Sequence, residues 1–569
     1  MIRPALLACC LTVATIAQES PASNRFVPAD ALFTMRVAAP ATWRTTFAGT
    51  RLGKVFAAPT LAPIVGRMQE GFEQLLEKGD AAGMPRDVMQ ALLHDYKGEL
   101  IVSACFDFSE TLASEEDIDP KQCTMLVLTP DGTPVLEKLL AGFRAVDAKG
   151  DTPLEELQLG EHRFRATKRP SRITQAELIE GHLVMFVGDE IETFAPKMLA
   201  TTNRAETTSK APFSARFDLG GLMKAVTTSL EESEVLDGAE GSASKAMQAM
   251  GLSSLRSLDV TLDAAGEHMT GDITLRTTGT DLGLLGLLLV DQKKPTSIAA
   301  LPANCDSFQV GAFDPNAIVR TLRAILAQVD IEGASWDQIE AAFEESMNVR
   351  LREDVLDHLG TEMMALGDMR SLCEVALETL GDGDRPDPNT VFSGYCIGLS
   401  LRNGKALGQS IDTMLRKAGL HAARKTEDYR DQKISTLRVG GVLSIEYAIT
   451  DTMLFLVVGT KGAGNEYLRA ALDAQAAGGE AQGLPANVQK QVAELPEGWS
   501  GVATYPVVEL MRALLEVGAA GAEARGVPLQ QEGLDIVRGL AKDLVDAGLG
   551  EMLSVTYTSA SAWRTVYRW

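Results

Sequence analysis

The chain has 569 residues, and its 77 acidic residues outnumber its 53 lysines and arginines, which gives a formal net charge of −24. That length is enough for two domains that each have a core of their own. Because a strongly acidic chain repels phosphate backbones, the composition excludes nucleic acid as an expected partner.

The N-terminus has the pattern of a secretory signal peptide over residues 1–17. Arg3 supplies a positive charge, residues 6–17 are apolar or small, and Thr15-Ile16-Ala17 suits cleavage. Leu7-Ala8-Cys9 resembles a lipoprotein box, but the apolar run before it is short, so cleavage without lipid attachment is the expectation. We therefore expect an extracytoplasmic protein, periplasmic or secreted, with no transmembrane segment after the signal.

The rest of the chain contains an internal match that indicates a duplicated domain. Cys105–Pro120 reads CFDFSETLASEEDIDP and Cys373–Pro388 reads CEVALETLGDGDRPDP, so the cysteine, the Glu-Thr-Leu run and the Asp-x-Pro ending share one offset. Leu183–Gly188 (LVMFVG) likewise matches Leu454–Gly459 (LFLVVG). Solenoid repeats are much shorter than this period. The sequence therefore predicts tandem copies of one domain, at residues 24–292 and 297–569.

The predicted elements of the first copy combine strands with helices. In chain order they are a strand at 32–37, a helix at 64–76, strands at 99–106 and 123–128, a helix at 135–143, and a hairpin of 176–179 with 183–187. Hairpins mixed with helices favour an α+β fold with a largely antiparallel sheet. We expect the helices to pack on one face of each sheet.

The opening of the first copy carries a family resemblance. Pro28-Ala29-Asp30-Ala31-Leu32-Phe33, followed by Thr50-Arg51-Leu52-Gly53-Lys54-Val55, resembles an uncharacterised bacterial family of exported proteins of unknown function. Repeats of that family open with a Pro-Ala-Asp-Thr-like strand, and a helix with a Leu-Gly pair follows. The second copy departs from this opening at Asn304-Cys305. The resemblance implies export and fold, and it supplies no catalytic residues.

Cysteines are the first candidate site residues. The first copy holds Cys105 and Cys123, and the second holds Cys373 and Cys396 at matching places, with Cys123 in QCTMLVL against Cys396 in YCIGLSL. Cys305 has no counterpart. Export permits disulfides, so we predict the bonds Cys105–Cys123 and Cys373–Cys396, each of which closes an acidic loop. The alternative is four buried thiols. No C-x-x-C pair or neighbouring histidine supplies the spacing of a zinc site.

An acidic loop of the second copy is a weak calcium candidate. Asp382, Asp384 and Asp387 alternate in GDGDRPDPN, and hard oxygen ligands suit calcium. The spacing breaks the EF-hand pattern, so a solvated loop without a cofactor is the simpler interpretation.

No nucleotide-binding, zinc-protease or serine-hydrolase motif occurs in the sequence. We therefore hypothesise an exported, non-enzymatic protein that binds a partner protein or supports the envelope. One version is a carrier for a hydrophobic ligand. A secreted hydrolase with its active site in one copy is the alternative.

Overall fold

The computed structural model describes most of the chain outside the N-terminus and several internal segments. The described residues are 27–28, 31–62, 96–107, 121–132, 134–147, 154–167, 172–200, 211–232, 247–248, 250–287, 289–291, 294–302, 305, 307–329, 335–367, 395–439, 443–459, 465–477, 484, 486–508, 531–559 and 561–569. They form two compact units: unit 1 is Met1–Ser244 with Ser253–Thr277, and unit 2 is Lys245–Leu252 with Thr278–Trp569. The domain junction expected at 293–296 lies inside unit 2.

Unit 1 is a mixed α/β structure. Its strands are β1 (Phe33–Ala38), β2 (Glu99–Asp107), β3 (Lys121–Leu128), β4 (Leu154–Leu159), β5 (His162–Thr167), β6 (Arg172–Ile173), β7 (Glu177–Ile179), β8 (His182–Gly188), β9 (Phe213–Phe217), β10 (Leu255–Ala265) and β11 (His268–Thr277). Its helices are α1 (Pro40–Gly49), α2 (Arg51–Phe56), α3 (Val135–Asp147), α4 (Ile191–Leu199) and α5 (Leu219–Glu232). The antiparallel sheet runs β7-β8-β3-β2-β1-β9-β10-β11, with β6 also on β8, and β4 and β5 form a separate hairpin.

One face of the unit 1 sheet packs under the β4–β5 hairpin and α4. Ile101 of β2 and Met125 of β3 point to this face by strand alternation, and both are fully buried. Phe164 of β5 meets Phe186 of β8 there edge to face, with ring centroids 5.5 Å apart. Ile191 of α4 completes the cluster. The aromatic contact and the apolar area around it hold the hairpin on the sheet.

A buried ion pair joins β1 to β2. Arg36 and Glu99 are both buried, and Nε of Arg36 donates to Oε1 of Glu99 at 3.1 Å. The hydroxyl of Tyr96 donates to the carbonyl oxygens of Glu99 and Thr129 at 2.6 and 2.8 Å. Burial raises the pKa of Tyr96 far above its usual range, so the phenol keeps its proton. The pair spans β1 and β2, and the loss of either partner would leave a buried charge uncompensated.

Gly53 allows α1 and α2 to meet closely. The Thr50 hydroxyl caps α2 by accepting a hydrogen bond from the Gly53 amide at 3.0 Å. A Cβ atom on Gly53 would overlap the carbonyl oxygen of Phe47 at the end of α1. The Leu-Gly pair in the predicted family resemblance therefore has a packing reason in this chain.

Unit 2 is also a mixed α/β structure. Its strands are β12 (Ser307–Ala312), β13 (Leu359–Gly367), β14 (Tyr395–Leu401), β15 (Lys425–Tyr429), β16 (Gln432–Val439), β17 (Leu443–Ile449), β18 (Met453–Gly459), β19 (Gly501–Tyr505), β20 (Met552–Ser559) and β21 (Ala562–Arg568). Its helices are α6 (Pro315–Val329), α7 (Trp336–Met347), α8 (Leu351–Asp354), α9 (Gly404–Lys417), α10 (Asn465–Ala476), α11 (Ala486–Val492) and α12 (Gln531–Asp546). The antiparallel sheet runs β15-β16-β17-β18-β14-β13-β12-β19-β20-β21.

The main core of unit 2 lies on one face of its sheet. Helix α10 contributes Leu468, Ala471 and Leu472, whose spacing of three and four residues forms a single apolar stripe. This stripe packs with Phe455 of β18 and Val555 of β20, among other buried residues. The hydrophobic core therefore extends under most of the strands.

The expectation that helices cover one face only is wrong for unit 2. Leu437 and Tyr447 lie on the face opposite the main core, and they pack against Leu415 of α9. The cause is the continuous apolar run of β18, MLFLVV over 453–458, which needs cover on both faces of the sheet.

Several local predictions are confirmed. The strands expected at 99–106 and 123–128 are β2 and β3, and the helix expected at 135–143 is the start of α3. The predicted hairpin is β7–β8, where Glu180 and Gly181 have φ of 49° and 84°, as a type I′ turn requires. The helix expected at 64–76, the signal segment 1–17 and most of the sixteen-residue match lie outside the described residues. No helix within the described ranges is long and apolar enough to cross a membrane.

The Gly53 contact gives a stability prediction. We expect Gly53→Ala to lower the free energy of unfolding of unit 1 by about 2 kcal/mol or more, because the new methyl overlaps backbone. Gly49→Ala is the matched control, since nothing lies within 4 Å of a Cβ at that helical position. Differential scanning calorimetry of the full chain measures both, and equal unfolding temperatures for the two variants would contradict the packing argument.

Candidate functional site

A cavity of about 150 Å³ lies on the sheet of unit 2, on strands β12, β19, β20 and β21. We call it the groove. Its lining residues are all uncharged: Gln309, Val310, Gly311, Ala312, Ser500, Gly501, Val502, Ala503, Tyr505, Ser554, Thr556, Thr558, Trp563, Thr565 and Tyr567.

Strand alternation places the groove on the face opposite the main core. Val502 of β19 and Val555 of β20 point into the core cluster. Their neighbours Ala503, Ser554 and Thr556 therefore point the other way. Ladder pairing then sets Ala503 opposite Ser554. The same residues that fill the core thus fix which side chains form the groove.

Small residues make the floor of the groove. Gly501, Ala503 and Ser554 are all buried, although they face away from the core. A Cβ atom on Gly501 would lie 3.0 Å from the carbonyl oxygen of Val310, which is tighter than ordinary packing. A larger residue there would push the strands apart or fill the cavity. Glycine at position 501 therefore leaves the space of the cavity unfilled.

Hydroxyl groups run along the floor. The Oγ1 atoms of Thr556 and Thr565 lie 3.2 Å apart in a hydrogen bond across β20 and β21. The Ser500 hydroxyl donates to the carbonyl oxygen of Thr556 at 3.2 Å. A hydroxyl both donates and accepts hydrogen bonds, so this row can match ligand groups of either kind.

Three aromatic side chains stand above the floor. Tyr505 lies at the end of β19, and Trp563 and Tyr567 lie on β21 with Thr565 between them. Tyr567 also stacks on Trp569, with ring centroids 6.3 Å apart and planes 22° from parallel. Burial raises the pKa of Tyr567, and the neighbouring Tyr505 adds to the shift. The Tyr567 phenol is therefore a neutral hydrogen-bonding group near pH 7.

The sequence-predicted cysteine pair of unit 1 is brought together. Cys105 and Cys123 lie directly opposite each other on β2 and β3, and both are buried. No disulfide joins them in the structure. Burial raises the pKa of Cys123 to about 12, and the neighbouring Cys105 adds to the shift. Opposed strand residues have Cβ atoms about 5 Å apart and a disulfide needs about 4 Å, so the predicted bond requires a small strand adjustment.

The second predicted pair is placed differently. Cys396 lies on β14 in the main core, and burial raises its pKa to about 12, with nearby Cys305 adding to the shift. Cys305, for which the sequence predicts no partner, lies beside Cys396 in this core. Cys123 pairs with Gly188 on β8, but Cys396 pairs with Val457, two residues before Gly459. The two cysteines therefore do not occupy matching places, and this sequence interpretation is corrected.

The remaining candidate residues cannot be placed. Cys373 and the calcium candidates Asp382, Asp384 and Asp387 lie outside the described residues. Within the described ranges, no group of three or more His, Cys, Asp or Glu side chains is arranged to hold a metal ion.

Sequence reasoning missed the groove. One signal was available in the last strand, where Trp563, Thr565 and Tyr567 alternate with residues of the other face. The floor could not be found in this way, because it depends on the pairing of β19 with β20.

Comparisons with known proteins add little. No family model matches the chain. No curated protein matches it either. Among solved structures, one described as crystal form III of TP0453 is similar at 10% sequence identity, over 49% of this chain and 90% of that one, with a TM-score of 0.22. A likeness of that size supports no conclusion about fold or function.

The opposed cysteines give a redox prediction. We expect chain purified from an oxidising compartment, then unfolded without reductant, to yield one linked peptide pair that contains Cys105 and Cys123, because the ladder sets them face to face. Disulfide mapping by mass spectrometry measures this. The control is chain kept reduced, in which a pKa of about 12 for Cys123 should block alkylation at pH 8 until unfolding. Alkylated Cys105 and Cys123 from the oxidising source would contradict the bond.

Proposed function

We propose that this chain is an exported, non-enzymatic binding protein made of two copies of one domain, and that the groove of unit 2 is its binding surface. The observation that carries the proposal is a cavity with a hydroxyl floor, aromatic walls and no charged lining residue. Small-molecule sites combine apolar and aromatic walls with a few placed polar groups. The export part of the proposal rests on the N-terminal sequence pattern.

The strand orders of the two units support duplication. The unit 1 order β7-β8-β3-β2-β1-β9-β10-β11 corresponds strand for strand to β17-β18-β14-β13-β12-β19-β20-β21. The matched strands also occur in the same order along the chain in both units. A shared order over so many strands is hard to obtain by chance.

A buried glutamate on the second strand provides a reference position for matching the two ladders. Glu99 pairs with Ala38 in unit 1, and Glu362 pairs with Ala312 in unit 2. Glu99 binds Arg36, whereas Glu362 accepts hydrogen bonds from the hydroxyl of Thr296 at 3.1 Å and from the amide of Ser297 at 2.7 Å. In both units, the carboxylate therefore ties the second strand to another segment.

Matched through these ladders, four groove positions differ sharply between the units, whereas Ala503 matches Ala215. Where unit 2 has Gly311, Gly501, Ser554 and Thr556, the corresponding positions of unit 1 hold larger apolar residues: Val37, Phe213, Val260 and Leu262. The fold itself therefore does not require small, polar residues there. Their presence in one copy favours a function specific to unit 2.

The lining chemistry favours binding over catalysis. Serine and threonine hydroxyls are weak nucleophiles unless a neighbouring base activates them. The titratable side chains in the groove are the phenols of Tyr505 and Tyr567, and burial raises the pKa of the latter. A group that stays protonated near pH 7 serves as a hydrogen-bond donor, and it is a poor general base.

A co-purifying ligand tests the proposal. We expect native mass spectra of residues 18–569, purified from their own envelope, to show a reproducible extra mass that denaturation removes. Ala503→Leu fills the floor of the groove and should abolish the extra mass. The matched control is Ala562→Leu, the same substitution on the other face of the sheet. Ala562 pairs with Ser559, and this pair is next to the groove pair Thr558 and Trp563 in the ladder, so it points to the opposite face.

Two outcomes would contradict the proposal. One is a wild-type chain whose native and denatured masses agree. The other is an extra mass that Ala503→Leu retains. If Ala503→Leu fails to fold, Trp563→Ala removes a wall of the groove without crowding the floor, and its retention of the extra mass would be equally contrary.

A further inference from the structure

We infer that the groove takes a neutral oligosaccharide, lying along β21. This inference rests on the proposed binding function and specifies its ligand class. Three properties of the groove support this ligand class: its charge, the spacing of its rings and the chemistry of its floor.

Charge excludes ionic ligands as the preferred class. The fifteen lining residues include no acidic, basic or histidine side chain. An anion would find no cation to bind there, and the chain as a whole carries a formal charge of −24. A carboxylate-paired cation site is absent from the same lining. An uncharged ligand suits this surface best.

The spacing of the rings argues against a single aromatic cage. Trp563 and Tyr567 are four residues apart on one strand, which puts their Cα atoms about 13 Å apart. A quaternary ammonium ligand needs several rings around one point. Rings separated along a strand instead provide successive platforms for an elongated ligand. Thr565 lies between the two platforms on the same face.

The floor supplies the complementary polar groups. A pyranose ring has an apolar face of C–H groups and an edge of hydroxyls. Its apolar face can stack on Trp563 or Tyr567, while its hydroxyls exchange hydrogen bonds with the exposed Gln309 and with Thr556, whose hydroxyl the buried Thr565 holds in place. A proline-rich peptide would also stack on the rings, but proline has no N–H group to donate to the floor. An aliphatic ligand would add no hydrogen bond to the one that the Thr556 and Thr565 hydroxyls already share.

Saturation-transfer NMR on the full chain tests the ligand class. The probes are maltotetraose, cellotetraose and chitotetraose as neutral saccharides, choline as a cation, a hexaproline peptide, and anilinonaphthalene sulfonate as an apolar dye. We expect at least one saccharide to bind. We expect Trp563→Ala to lower the affinity for that saccharide by about tenfold, because one stacking platform is lost.

The matched control is Arg564→Ala. Arg564 neighbours Trp563 on β21 but stacks on Tyr557 on the other face of the sheet, so its loss should leave saccharide binding unchanged. If Trp563→Ala fails to fold, Thr565→Val removes one floor hydroxyl with little change of shape. This substitution should also lower the affinity for the saccharide.

Each contrary outcome has a distinct meaning. Saccharide binding that neither Trp563→Ala nor Thr565→Val weakens would overturn the placement in the groove. If no saccharide binds, but choline, hexaproline or the dye binds and Trp563→Ala weakens that binding, the ligand class is overturned. The proposed binding function would then stand. If no probe binds and no ligand co-purifies with the chain, both the ligand class and the proposed binding function are overturned.

Discussion

Strand alternation in four neighbouring strands of unit 2 is the constraint on which the candidate site depends. Val310, Val502, Leu553 and Val555 fill one face of the sheet and pack into the main core. Each apolar residue that points inward forces its neighbour outward, so the core sets the positions of the groove residues. A shift of one residue in any of these strands would turn the core side chains away from the core and the groove hydroxyls toward it. Stability and site therefore depend on the same register.

Unit 1 provides an internal comparison. At the ladder positions that match Gly311, Gly501, Ser554 and Thr556 it has larger apolar residues, including Phe213, and Phe33 packs on Phe217 with ring centroids 4.9 Å apart. The opposite face of the same strands is polar, with Asp259 between Arg216 and Arg276. The same strand order thus supports opposite surface chemistry in the two units. If the units are copies of one domain, the difference reflects their separate uses.

Local patterns made part of this fold predictable. Strands β2 and β3, helix α3 and the β7–β8 hairpin each show their period or turn residues within a short segment, so sequence reasoning placed them well. The helices on both faces of unit 2 were missed, although the apolar run of β18 carried the signal. The prediction that Cys123 and Cys396 occupy matching positions was also wrong. Strand register decides which positions match, and short sequence matches do not show the register.

The groove was beyond sequence reasoning for a physical reason. Its floor combines Gly501 with Thr556, which are far apart in the chain and meet only through the pairing of β19 with β20. Glycine, serine and threonine also occur in ordinary turns, so their presence alone indicates no site. The aromatic residues of β21 gain meaning only when the face to which they point is known.

Fluorine NMR at Trp563 reports whether this face of unit 2 binds a ligand. The chain would carry 5-fluorotryptophan, with Trp563→Phe used to assign the resonance, and a low-molecular-weight extract of the source cells would be added. We expect the Trp563 resonance to shift while that of Trp43, buried in unit 1, stays in place. An unchanged Trp563 resonance, or equal shifts at both positions, would contradict the account.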